Sequence, residues 1–251
     1  MSGNSEVLKP FEALVLSVQE ISESDLWVQF ISAEKGRFAA VAKGARRSRR
    51  RFVNKLEPGH LLRVYLRPSR RGLAPILEAA DLLWAPETLR THPRAFVLAS
   101  YFLELCERSS PPAEGRELFP LLREALETLD RTPEIQGLKA YFEYRLLTLL
   151  GWAPEMEVCL VCERPLSERA YFSFRRGGVV CAECAREEDQ PLSGPVRGLL
   201  RSWGRLSPET LSRVVLSRDL WREAEKLLEN FLLRVLDQDI KTLKVWREFR
   251  E

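Results

Sequence analysis

From Phe11 onwards apolar residues recur at every second position, the period of a strand whose two faces meet different surroundings. Leu14, Leu16 and Val18 share one face of a first run, Leu26, Val28 and Phe30 of a second, and Phe38, Ala40 and Ala42 of a third. Leu62, Val64 and Leu66 make a fourth, and Leu73 to Leu83 a fifth, interrupted by Pro75 in a way that suits a sheet edge. Ser22-Glu23-Ser24-Asp25, Glu34-Lys35-Gly36 and Glu57-Pro58-Gly59 supply turn chemistry between the runs, with Asp25 expected to cap the turn ahead of the second. After Trp84-Ala85-Pro86 the period lengthens. Residues 94–108, 117–129 and 134–150 carry apolar side chains at three- and four-residue spacing, as in Phe96, Ala99, Tyr101, Phe102 and Leu105, then Leu138, Tyr141, Phe142, Leu146 and Leu149. Pro111-Pro112 and Thr132-Pro133 separate these helices, and Gly151 stands where a helix end is expected. From Gly194 helical spacing returns, first in Leu199, Leu200, Trp203 and Leu206, then in Leu220, Ala224, Leu227, Leu228, Phe231, Leu232 and Val235.

The order of these periods predicts a multidomain α+β protein. Five short strands with a longer insertion between the third and fourth follow the plan of the OB-fold barrel. The change of period sets the expected boundary: 1–82 as a barrel domain that binds nucleic acid, and 83–251 as an α-helical domain with an inserted metal-binding segment at 157–187. The chain has 251 residues, 45% apolar and 30% charged, enough to bury a sizeable core. It has no run near twenty apolar residues, and Met1-Ser2-Gly3-Asn4-Ser5-Glu6 lacks the basic-then-apolar order of an export signal, so a cytoplasmic protein is expected.

Charge changes the picture more than composition does. Lys35 to Arg71 holds thirteen basic residues and one acid, Glu57, a local charge of 13 − 1 = +12 in a chain whose total is +3. Everything else therefore sums to 3 − 12 = −9. A concentration of this kind points to a polyanionic partner. The candidate nucleic-acid contacts are Lys35, Arg37, Lys43, Arg46, Arg47, Arg49, Arg50, Arg51, Lys55, Arg63, Tyr65, Arg67, Arg70 and Arg71. On the fourth strand Arg63, Tyr65 and Arg67 alternate with core positions, and side chains two residues apart lie about 7 Å from each other, close to the spacing of successive phosphates. Tyr65 either stacks on a base or covers the barrel wall. Arg197, Arg201, Arg205, Arg213, Arg218 and Arg222 read as a solvated helix surface rather than a second contact.

The five cysteines divide into Cys106, within a helix and expected in the core, and two CxxC pairs, Cys159 with Cys162 and Cys181 with Cys184, eighteen residues apart. Two residues between thiolates let a tight turn aim both sulfurs at one ion, and two such turns complete a tetrahedron around one structural Zn²⁺ with no open position. Tyr171 to Val180 reads as the hairpin that brings the pairs together. No catalytic constellation accompanies them: the chain has no glycine-rich phosphate loop, GxSxG or HExxH, and only two histidines, His60 and His92. Glu187, Glu188 and Asp189 read as a solvated linker, so no enzyme is expected.

Several stretches resemble the bacterial RecO family of DNA repair proteins: Glu12-Ala-Leu-Val-Leu16, Ser22-Glu-Ser-Asp-Leu26, Lys35-Gly36 with Ala40-Val-Ala-Lys-Gly-Ala-Arg46, Leu149-Leu-Gly-Trp-Ala-Pro154, and Cys159 to Cys184 with Gly177-Gly178. They follow the family's order across most of the chain, while the arginines at 46–51 are denser than its pattern. The resemblance implies a non-enzymatic recombination mediator that binds single- and double-stranded DNA and anneals complementary strands. It further implies action with RecR, engagement of the tail of single-strand DNA-binding protein, and help in loading RecA. Two other classes share a basic barrel and a zinc ribbon: an RNA-binding or ribosome-associated protein, and a scaffold whose basic run meets an acidic protein tail.

Overall fold

The computed structural model describes residues 8–69, 74–166, 169–203, 208–211 and 217–249. Arg70, Arg71, Leu73, Arg205, Leu206 and Arg213 lie outside them. Five strands, β1 (Phe11–Glu20), β2 (Leu26–Ser32), β3 (Gly36–Ala42), β4 (Leu61–Arg67) and β5 (Ile76–Trp84), close into a barrel in the order β1-β2-β3-β5-β4. All neighbours are antiparallel except β3 and β5, which meet in parallel at Val41 and Ile76, where the Val41 N–H donates to the Pro75 carbonyl at 2.9 Å. This is the OB-fold expected from the strand pattern. Proline lies where it costs no ladder bond, just ahead of a strand that closes the barrel by its edge.

Leu14, Leu16 and Val18 do not share one face of β1, although their spacing predicts it. Ala13 and Val15, not Leu14 and Leu16, point into the barrel core. The pairing of β1 with β2 slips between Val15 and Ser17, and this bulge returns Val18 to the inside. Leu14 and Leu16 are also fully or nearly fully buried, on the outer face, where helices pack on β1. A strand buried on both sides loses the strict alternation that marks a half-exposed one.

Helices α1 (Pro93–Ser109), α2 (Leu118–Arg131) and α3 (Leu138–Leu149) follow, then strands β6 (Ala170–Ser173), β7 (Gly178–Cys181) and β8 (Gln190–Leu192). Helices α4 (Gly194–Ser202), α5 (Pro208–Leu211), α6 (Arg218–Leu236) and α7 (Lys241–Glu248) complete the chain. No helix among the described residues is long and apolar enough to cross a membrane. By contacts the chain forms two compact units, Met1–Pro133 together with Ile240–Glu251, and Glu134–Asp239. In the first, α1 packs against β1 and α7 and buries Cys106 completely, as expected for a core thiol. Glu104 of α1 accepts the backbone N–H groups of Lys241 and Thr242 at 3.0 and 2.8 Å, so a side chain from another helix supplies the cap of α7.

In the second unit α3 lies against α6, and its first six residues, Leu138 to Glu143, are all buried. Two of them are charged. Lys139 Nζ donates to Glu143 at 2.6 Å and to Glu229 of α6 at 2.8 Å, inside the fold. Burial opposes the ammonium charge, but the two carboxylates outweigh it and hold the lysine above its ordinary pKa. The strands β7-β6-β8 form a separate sheet, with β6 and β7 as the expected hairpin. Asp189, expected in a solvated linker, is instead 7% exposed and accepts the Arg186 N–H at 2.9 Å, which closes the turn leading into β8; Glu187 and Glu188 are exposed.

One glycine in the first unit is fixed by a close approach. Gly36 has φ +65°, and a β-carbon there would overlap the Glu114 carbonyl. That approach lets the Arg37 N–H donate to Glu114 at 2.8 Å and the Ala113 N–H to the Arg37 carbonyl at 2.7 Å, so the loop after α1 is bonded to β3. Gly36→Ala is therefore expected to lower stability by about 1–3 kcal/mol, read as an earlier thermal midpoint, because left-handed strain and backbone overlap add.

Candidate nucleic-acid interface and metal centre

The connector between β3 and β4 carries the arginine run, and apolar side chains hold it. Ala45, Phe52 and Leu56 enter the barrel core alongside Phe30, Val64 and Leu66. Gly44 turns the chain with φ 66°, and its N–H donates to Asp25 Oδ1 at 2.8 Å. The Arg46 N–H donates to the Ser24 carbonyl at 3.1 Å, and the Phe52 N–H to Ser48 Oγ at 3.2 Å. Asp25 thus does not cap the turn ahead of β2; Ser22 Oγ does, accepting the N–H groups of Ser24 and Asp25 at 3.3 and 3.0 Å. The carboxylate of Asp25 instead fastens the start of the basic segment. The Gly44 N–H, with help from Ser24, holds its pKa below the ordinary aspartate value.

With its backbone pinned, the connector turns its guanidinium groups outward. Arg46 and Arg47 are exposed and pair with Glu20 at 3.0 Å and Glu23 at 3.1 Å. Exposed pairs of this kind are weak and yield to a polyanion. Arg49, Arg50 and Lys43 are exposed and form no ion pair with any described residue, while Arg51 lies over the Phe52 ring and donates to the Lys43 and Glu78 carbonyls at 3.1 and 3.3 Å. On β4, Arg63 is exposed and forms no ion pair with any described residue; Tyr65 donates its hydroxyl to Asp81 at 3.0 Å, and Arg67 Nε donates to Glu78 at 2.6 Å. The Asp81 bond raises the Tyr65 pKa and fixes the ring beside Arg63.

Three further predicted contacts also have partners inside the unit. Arg37 Nε donates to the Ser110 carbonyl at 2.6 Å, Lys55 Nζ to the Ala80 carbonyl at 2.6 Å, and Lys35 Nζ lies 5.5 Å from the Phe11 ring centre. Across residues 8–84 there are fourteen basic and eight acidic side chains, so the barrel with its connector sums to 14 − 8 = +6. The acids nearest the run halve the charge counted along it. Lys43, Arg49, Arg50 and Arg63 are the exposed cations of this segment that have no ion pair among the described residues.

In the second unit the four cysteine sulfurs lie within 4.8 Å of one another, the cluster foreseen from the two CxxC pairs. Cys162 and Cys181 sulfurs are 3.9 Å apart, near the ~3.8 Å that a tetrahedron with bonds of about 2.3 Å requires. The Cys181 N–H donates to Cys159 Sγ at 3.4 Å, and the Leu160 N–H to the Val179 carbonyl at 3.0 Å, so the first knuckle is tied to the hairpin that ends in the second. Burial would raise the Cys159 thiol, yet backbone N–H groups of Cys162, Cys181 and Val161 bring it down to about 6. Cys184 is pushed up to about 12, chiefly by its hydrogen bond to Cys181. Four thiolates this close cannot all carry charge unless a cation sits among them, and the donor set fits a metal ion with no place for a fifth ligand.

Comparison with known proteins agrees with both halves. Residues 8–82 match the family described as Recombination protein O N terminal, and residues 90–244 match Recombination protein O C terminal. The chain belongs to the RecO family. Among its relatives, the DNA repair protein RecO of Syntrophus aciditrophicus is 33% identical, with 98% of each chain covered. Those of Myxococcus xanthus and Geobacter metallireducens are 31% and 32% identical, each over 92% of this chain and 94% of the relative. The N-terminal RecO match spans almost the whole barrel, and the C-terminal one includes all four clustered cysteines.

Within the RecO chain, residues that hold the candidate interface went unnoticed in the sequence: Asp25 as anchor of Gly44, and Phe52 and Leu56 as plugs. Phe52 and Leu56 are four apart, a helical spacing inside a polar segment, and that was the available signal. Because the Asp25 carboxylate is depressed, its hold on Gly44 is present above the ordinary aspartate pKa and lost as pH falls through the lower, folded value. The Gly44 amide resonance is expected to titrate with a midpoint below about 3.9, and Asp25→Ala is expected to abolish that titration.

Proposed function

We propose that this RecO-family protein is a non-enzymatic recombination mediator in DNA repair: it binds single- and double-stranded DNA and anneals complementary strands. With RecR it acts on DNA coated by single-strand DNA-binding protein and promotes loading of RecA. The observation that carries this reading is the connector, a turn plugged into an OB barrel, with Lys43, Arg49 and Arg50 exposed and without an ion pair among the described residues and Arg63 beside Tyr65 on the neighbouring strand. Annealing requires that the mutual repulsion of two phosphate chains be screened. A field fixed on a compact barrel does this without base recognition, the release of condensed counterions supplying most of the affinity. Tyr65, with its hydroxyl held by Asp81, offers a ring to an unpaired base.

The barrel is the DNA-binding domain in this reading, and the rest of the chain is a helical domain whose cysteine segment binds one structural Zn²⁺. Cys159, Cys162, Cys181 and Cys184 would hold the ion, which locks the hairpin and takes no part in chemistry. An apolar cleft of about 280 Å³ in the first unit, with Leu89, Phe96, Leu103 and Leu126 in its wall and Arg90, paired with Glu57 at 2.7 Å, at its side, is our candidate for the acidic tail of single-strand DNA-binding protein.

Replacing Lys43, Arg49, Arg50 and Arg63 with alanine is expected to weaken binding to single strands of every sequence. It should also flatten the dependence of log K on log salt by about 3, at about 0.7 per lost phosphate contact. Salt titrations with fluorescent oligonucleotides check this, and an unchanged slope would sink the DNA reading; tighter binding to RNA of equal length would redirect it. Purified protein is expected to contain one zinc ion by atomic emission. Cys159→Ser or chelation should lower the thermal midpoint markedly while single-oligonucleotide affinity stays within about twofold, since the metal supports the second unit alone.

A further inference from the structure

A depression of about 370 Å³ in the unit Glu134–Asp239 borders the end of α3, the β6–β7 turn and the last turn of α6. Trp152, Phe174, Arg175, Arg176 and Arg234 stand around it, and no acidic residue lines it. Arg164, Arg201 and Arg222 of the same unit each have a carboxylate within 4.0 Å. Arg175, Arg176 and Arg234 form no ion pair with any described residue; the Arg234 guanidinium lies instead 5.1 Å from the Phe174 ring centre. Like charges gathered without compensation cost stability unless something anionic is bound there.

The indole is as unexplained as the arginines. Trp152 is 57% exposed although its backbone is fixed: Gly151 ends α3 at φ +79°, its N–H donates to Thr148, and the Trp152 N–H donates to the Leu147 carbonyl at 2.7 Å. The apolar residue that closes such a cap normally folds back on the helix. Here the ring is left in water beside three cations. The facing turn is equally set, with the Arg176 and Gly177 N–H groups both on the Ser173 carbonyl at 3.2 and 2.9 Å and the Glu155 N–H on Gly177. Its strand β7 ends at Cys181 of the cysteine cluster, so metal binding would stiffen the turn that carries Arg175 and Arg176.

We infer that this depression is a second site for single-stranded nucleic acid, in which Trp152 stacks on a base while Arg175, Arg176 and Arg234 hold the flanking phosphates. The inference rests on the DNA-binding reading above and adds a place for the other strand. A flat, exposed ring flanked by guanidinium groups matches a nucleotide, which is a planar ring joined to an anion, better than it matches a carboxylate-bearing peptide, which has no ring to stack. Annealing then becomes a two-site process, with one strand on the barrel and its complement at Trp152.

The test uses the whole chain in four forms: wild type, W152A/R175A/R176A, W152F, and R175K/R176K. Thermal midpoint and zinc content serve as folding controls. If the triple variant melts early, W152A alone, which removes only an exposed side chain, replaces it. The triple variant is expected to bind a single oligonucleotide within about threefold of wild type but to anneal complementary oligonucleotides at least about tenfold more slowly; W152F and R175K/R176K should retain most of the rate. Oligo(dT) should quench indole fluorescence in wild type, and the quench should shrink in W152F. Annealing by the triple variant at the wild-type rate overturns this site while leaving the function intact. Quenching of Trp152 by an acidic peptide but not by oligo(dT) overturns it in favour of a protein ligand. A wild-type protein that binds no DNA removes the function itself, and this site with it.

Discussion

Anchoring of the arginine-rich connector by Ala45, Phe52 and Leu56 is the interaction on which the rest of the first unit depends. Consecutive like charges repel, and a free segment of that composition would stay disordered. Three apolar side chains sunk into the barrel core hold the segment in a single conformation, and Asp25 and Ser48 secure its turns. The barrel thereby presents charge in a fixed arrangement instead of on a tether. Any anionic partner of this surface would meet it already ordered and would not have to order it.

The second unit depends on closeness of another kind. Four thiols within one small volume are unfavourable as anions and lock the hairpin once a cation joins them. The consequence is local rigidity in the segment that carries β6 and β7. Gly178 allows the approach of Glu155, whose carbonyl accepts from Val179 at 3.0 Å, and the aromatic contact of Phe172 with Phe231 at 5.4 Å joins the small sheet to α6. The buried Lys139, Glu143 and Glu229 tie α3 to the same helix. Such a group is poor evidence for added stability, since an apolar trio packs as well.

Much of this was legible in the chain. Period two gave the five barrel strands, and period three to four gave α1, α2, α3 and α6, because each has surroundings that differ from face to face. The cysteine spacing predicted the cluster because thiolate geometry is local. What escaped reading was set by neighbours distant in sequence. Leu14, Leu16 and Val18 read as one face because nothing local reveals that helices will cover the outer face of β1, nor that a bulge follows Val15. Asp25 reads as a turn cap until Gly44 arrives beside it. Asp189 reads as solvent-facing because its burial comes from the turn it closes. Trp152 and the arginines around it are brought together from the segment after α3, the hairpin turn and α6, which are far apart in the chain.

The capping of α7 by Glu104 has a consequence for how the chain comes together. Residues 240–249 belong to the same compact unit as the barrel and α1, while everything from Glu134 to Asp239 lies between them in sequence and forms a unit of its own. During synthesis the intervening unit is therefore complete first, and α1 waits with one flank uncovered until α7 emerges from the ribosome. A shortened chain that stops before Ile240 would leave the order of the earlier unit unfinished, even though every barrel strand is present.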